Sequence, residues 1–127
     1  MRHILLTILF LAFALTGCGD RAKRAAKVEP DKARATLTQA LDAWKAGKTP
    51  DDLKSQSPSI VAQDFDWLGG MKLSSYEVLG SGEERDANLE CPVKLSLVGK
   101  DGKSVKKTVT YIVGTDPVLT VFRKMNF

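Results

Sequence analysis

Leu89, Cys91, Val93, Leu95 and Leu97 alternate with Glu90, Lys94 and Ser96 among the residues between them, and this period of two commits the chain to a sheet with one buried face. Wound as a helix, the same five apolar side chains would scatter around the axis. Three more stretches read the same way. Leu73 to Leu79 is a first strand, Leu89 to Val98 a second, Val105 to Val113 a third, and Val118 to Met125 a fourth. Gly80-Ser81-Gly82 opens an acidic loop, Asp101-Gly102 is a hairpin turn, and Gly114-Thr115-Asp116-Pro117 closes the last hairpin. Pro92 has no N–H to give a ladder, which predicts a bulge there or a gap in pairing with the first strand.

The sheet needs a cover for its apolar face, and the preceding segment supplies one. Glu29-Pro30-Asp31 starts a helix that runs to about Ala46 and ends at Gly47. Ala33, Leu37, Ala40, Leu41 and Trp44 recur at three- and four-residue spacing and form one apolar stripe. Thr49, Pro50, Asp51 and Asp52 start a second short turn of helix, which Ser57-Pro58 stops. Ile60 and Val61 lead into the connection Asp64-Phe65-Asp66-Trp67-Leu68-Gly69-Gly70. The predicted architecture is α+β: an N-terminal helix packed on a curved four-stranded antiparallel meander, one domain over 31–127, with Trp44, Trp67, Phe65 and Tyr111 filling its core.

The segment 1–17 reads as an export signal, with Arg2 as its fixed cation and an apolar stretch from Ile4 to Leu15. That stretch is shorter than the roughly 18 to 20 apolar residues that span a bilayer. Leu15-Thr16-Gly17-Cys18 follows, and it resembles the lipobox of bacterial lipoproteins. The resemblance implies a diacylglyceryl group on the Cys18 thiol and cleavage between Gly17 and Cys18. Two or three acyl chains hold a protein on a membrane lastingly where one does so only marginally. Gly19, where an Asp would mark inner-membrane retention in that family, leans towards onward sorting. The alternative is a chance Cys after an ordinary signal peptide or signal anchor.

Residues 18–30 form a basic tether, with Arg21, Lys23, Arg24 and Lys27 against Asp20. These cations either rest on anionic headgroups, each worth on the order of 1 kcal/mol near the surface, or make a solvated spacer. The rest of the chain is balanced: Glu29 to Phe127 holds fourteen Lys and Arg and fourteen Asp and Glu. A basic domain that would bind nucleic acid is therefore not indicated.

Cleavage at Cys18 would remove His3, the only histidine. Ser-His-Asp and Cys-His arrangements go with it, as does the commonest transition-metal ligand. Lipid on Cys18 leaves Cys91 without an intramolecular partner, and its place in the alternating run predicts a buried thiol.

The element order, with Trp67, Gly70, Leu73 and Tyr76 spaced ahead of long paired strands, resembles small bacterial lipoproteins with a cystatin-like or NTF2-like domain over 31–127. Such folds carry binding proteins, dimerisation modules and some enzymes. The cystatin inhibitor signature Gln-x-Val-x-Gly is absent. Three groups bear on chemistry. Asp64 and Asp66 suggest a divalent cation site, but without EF-hand spacing they are better read as a turn in which Asp66 caps the chain before Trp67. Tyr76, Tyr111 and Asp64 are candidates to line a helix–sheet pocket, with core packing preferred. Lys94, Lys106, Lys107, Arg123 and Lys124 read as a solvated outer face. No catalytic residue, metal or cofactor is assigned.

The fourth strand is apolar on both faces, with Val118 and Phe122 one way and Leu119, Val121, Met125 and Phe127 the other. One helix covers one face, so a patch around Ile112 and either Val118 with Phe122 or Leu119 with Val121 is predicted to stay exposed as a partner surface. The expectation is a lipid-anchored protein of the cell envelope, facing the periplasm or exterior. Its domain binds an envelope protein, a second copy or a small ligand without catalysis. The alternatives are a small NTF2-like enzyme using tyrosine and carboxylate, and a purely structural envelope protein.

Overall fold

The computed structural model describes residues 26–126. The chain there forms three helices, α1 Pro30–Lys45, α2 Pro50–Ser55 and α3 Phe65–Leu68. Six strands accompany them: β1 Ile60–Gln63, β2 Lys72–Val78, β3 Glu83–Arg85, β4 Asn88–Val98, β5 Ser104–Gly114 and β6 Leu119–Arg123. The sheet order is β1-β6-β5-β4-β2, with β3 also paired to β4, and α1 packs against the sheet. The fold is α+β as predicted, but the sheet is six-stranded and mixed rather than a four-stranded antiparallel meander.

The two unpredicted strands have physical reasons for escaping notice. β1 runs parallel to β6, pairing Ile60 with Leu119 and Gln63 with Phe122. Four residues are too few to show a period. β3 lies in the acidic loop with Glu83, Glu84 and Arg85 all exposed, so only its backbone pairs, Glu83 with Glu90 and Arg85 with Asn88. The remaining strands do follow one another antiparallel, β2 to β4 to β5 to β6.

Helix α1 buries the predicted stripe of Ala33, Leu37, Ala40, Leu41 and Trp44. Its end is a Schellman motif: Gly47 takes φ +84°, its N–H donates to Trp44 O, and the Lys48 N–H donates to Ala43 O, both at 2.9 Å. Thr49 caps α2 in a reciprocal box with Asp52. Trp44 and Trp67 stack with centroids 5.3 Å apart and planes 8° from parallel, joining α1 to α3. Their indole N–H groups donate to Met71 O at 2.8 Å and Lys48 O at 2.9 Å.

Leu89, Cys91, Val93, Leu95 and Leu97 are all buried on the helix side of β4. At Pro92 the β2 ladder has already ended at Val78–Val93, and the β3 ladder does not begin until Glu90. The predicted gap is therefore present, bridged by a bond from the Leu79 N–H to Pro92 O. The register shift in β2 falls instead between Leu73 and Ser75. Val28, just before α1, is buried in the core, and the Ala26 and Glu29 N–H groups bond Asp116 and Thr115 in the β5–β6 turn.

Candidate functional site

Asp64 stands at the end of β1, where the chain turns into α3, and its side chain accepts from the N–H groups of Asp66 at 2.8 Å and Trp67 at 3.2 Å. The cap is therefore Asp64, not Asp66 as the sequence predicts. An acceptor two and three residues ahead of the orphan N–H groups is the ordinary capping geometry. Asp66 lies one step into the helix, where its side chain turns to cations on the sheet.

Those cations are Arg123 of β6 and Lys107 of β5. The Arg123 guanidinium bonds Asp66 and reaches Asp64 Oδ1 at 3.3 Å, while Lys107 Nζ lies 3.0 Å from Asp66 Oδ2. Tyr111 completes the group by donating its hydroxyl to Asp64 Oδ2 at 2.5 Å. The Arg123 and Asp64 side chains are 7% and 2% exposed, so Arg123 is buried and not on the solvated face predicted for it, while Lys107, a third exposed, closes the network from its rim. The signal was in the parity. Arg123 shares a face with the core residues Leu119 and Val121, and Lys107 with Val109 and Tyr111.

The network is electrically closed. Two carboxylates face two cations, and among the described residues no buried side-chain nitrogen or oxygen lacks a partner. Burial pushes the Asp66 carboxyl up, but the bonds and charges of Arg123 and Lys107 outweigh it and hold it below the usual range. Burial and the Asp64 carboxylate push the Tyr111 hydroxyl up, so it is protonated at neutral pH and serves as a donor. The pair Asp64 and Asp66 thus holds protein cations, and among the described residues no cluster of three or more metal-ligating side chains occurs.

Phe65 was predicted in the core but is 53% exposed, its ring 4.2 Å from the Arg123 guanidinium carbon. It covers the network from outside as a cation–π lid. Beside it a cleft of about 270 Å³ runs between Lys107–Thr110 and Lys124–Asn126. Tyr76 does not join Tyr111 and Asp64. Its hydroxyl donates to Asp42 of α1 at 2.6 Å, and burial together with that carboxylate pushes it up to about 12. A surface groove of about 640 Å³ lies between α1 and α2, lined by residues including Thr38, Asp42, Ala46 and Leu53. Cys91 is buried as predicted, and burial pushes its thiol up despite the opposing Arg34 charge.

Ile112 and Phe122 are directly opposite in the β5–β6 ladder, between the core pair Val113–Val121 and the network pair Tyr111–Arg123. Alternation puts both on the face away from α1, where each is half-buried. Val121 and Leu119 face the core, so Phe122 is the β6 member of the outer patch, while Val118 sits exposed in the turn before β6. Gly17, Cys18, Arg21, Lys23 and Arg24 lie outside the described residues; Lys27 is exposed. No described helix is long and apolar enough to cross a membrane. Compared with known proteins, the chain matches no family model, no curated protein and no solved structure.

Proposed function

We propose that this protein is a membrane-tethered lipoprotein of the cell envelope whose domain is a non-enzymatic interaction module, using the outer sheet face around Ile112 and Phe122. The tether part rests on Leu15-Thr16-Gly17-Cys18 after a short apolar run. The observation that carries the interaction part is the Ile112–Phe122 pair on the face opposite α1. An apolar cross-strand pair left half-buried on the face opposite α1, among the described residues, gains most by meeting another surface.

The rival reading, a small acid–base enzyme, draws on the Tyr111–Asp64 contact. The other oxygen of that carboxylate, Oδ1, already caps α3 and accepts from Arg123, which favours a structural role.

The test uses the full-length protein in its native membrane. Metabolic labelling with a fatty-acid analogue is expected to mark the wild type and not Cys18→Ala. Sedimentation of the detergent-solubilised protein is expected to show an assembly that Phe122→Glu disperses. Label persisting in Cys18→Ala overturns the anchor, and a strict monomer with no bound partner overturns the interaction surface.

A further inference from the structure

β5 is eleven residues long, but β6 pairs with it only from Tyr111 to Gly114, and the last backbone bond across that edge runs from the Lys124 N–H to Thr110 O at 2.8 Å. From Ser104 to Val109 β5 is paired to β4 alone among the described residues. Backbone groups of an antiparallel strand point to its two sides by turns. Since Thr110 O points to the β6 side, Thr108 and Lys106 present N–H and C=O groups along the unpaired edge.

Apolar surface gathers at the same place. Of the five large hydrophobic residues most exposed among those described, Val105 lies on this edge, and Phe65 and Met125 line the cleft beside it. Leu68 belongs to the same short helix as Phe65. The unpaired charge there is positive. Lys106, and Lys94 opposite Thr108, are exposed with no ion pair among the described residues, while Lys107 and Lys124 wall the cleft with Asp66 and Glu90 as their partners.

We propose that the β5 edge from Ser104 to Val109 takes up an extended segment of a partner protein, carrying acidic and apolar side chains in alternation, as an added strand of the sheet. This deepens the interaction-module reading and rests on it. Main-chain bonds to Lys106 and Thr108 would supply attachment. Phe65, Val105 and Met125 would receive the apolar side chains on one face, and Lys106 and Lys124 the acidic ones on the other. A second copy of this chain is the poorer occupant, because an antiparallel pairing of two such edges centred on Lys106 sets its unpaired charge against its own counterpart. Lysines on an edge deter self-pairing of this kind, and the same charges admit an acidic strand.

The probe is a set of fluorescein-labelled octapeptides alternating Val with Glu, titrated against the full-length lipidated protein in nanodiscs and read by fluorescence anisotropy. Saturable binding is expected, weakened about tenfold by Lys106→Glu and abolished when the peptide is N-methylated at alternate residues. N-methylation leaves the protein untouched, so a misfolded variant cannot mimic the result. Hydrogen exchange should show the Lys106 and Thr108 amides protected by the peptide. Val–Lys peptides that bind as well, or N-methylation without effect, overturn the proposal, as does a dimer that Thr108→Pro disperses. If no peptide binds while Phe122→Glu still disperses an assembly, only the edge proposal fails. If neither occurs, the interaction reading fails with it.

Discussion

The Tyr111 hydroxyl donates to Asp64 Oδ2 at 2.5 Å, and through this bond the middle of β5 is fixed to the turn from β1 into α3. Arg123 adds the third side of the clasp from β6. Removing one carboxylate of the network leaves Asp66 alone between two cations, one of them buried. Asp64→Asn keeps a capping oxygen but removes the charge beside Arg123, and should cost about 3 kcal/mol, on the order of 12 °C in Tm for a domain of this size. Tyr111→Phe leaves Oδ2 without its donor and should cost about 2 kcal/mol. Thermal denaturation of both, with the double variant, should give a non-additive total.

The tyrosines predict an alkaline transition. Tyr76 is raised to about 12 from an ordinary value near 10, and Tyr111 is raised too. A raised group stabilises fully below its unfolded pKa, and the contribution is lost as pH climbs through the folded value. Stability should therefore fall between about pH 10 and pH 12, and Tyr76→Phe should flatten that fall. Absorbance at 295 nm, a tyrosinate signal, should stay flat through pH 10 in the native protein.

Asp66 predicts the acid side with the opposite sign. Its depressed carboxyl contributes stability above the unfolded value near 3.9, lost as pH falls through the lower folded value. Lys107→Met removes one of the two cations that hold it down. Acid unfolding followed by circular dichroism should shift to higher pH in that variant, with little change at pH 7 beyond the lost surface pair.

Cys91 sits inside the sheet with a raised thiol. A thiol reagent should react with it only when the domain opens, at a rate that follows unfolding and rises in Asp64→Asn.

α1, β4 and β5 were legible in the sequence because each is long enough to repeat its period several times, and each sits between clear stop signals at Gly47 and Asp101-Gly102. β1 and β3 were not, since four and three residues give no period and β3 buries nothing. Asp64 stands out in the sequence, whereas charge alone points Arg123 and Lys107 to the outer face, although their parity puts them with the core residues of β6 and β5. A cation at a core-facing position asks for a buried carboxylate, and Asp64 and Asp66 were already in view as a pair. Phe65 reads as core in the sequence, where nothing marks it off from Trp67. Its role is to cover Arg123, which requires one ring face to remain at the surface.

The interaction surface is tested most directly by a photo-crosslinking amino acid placed at Phe122 in the full-length protein, with the same residue at Ser81 as control. Under the proposed lipid anchoring, irradiation of intact membranes should give a discrete heavier adduct from position 122 alone, and Cys18→Ala should lose it. No adduct at position 122, or the same adducts from both positions, would contradict an interaction face at Ile112 and Phe122.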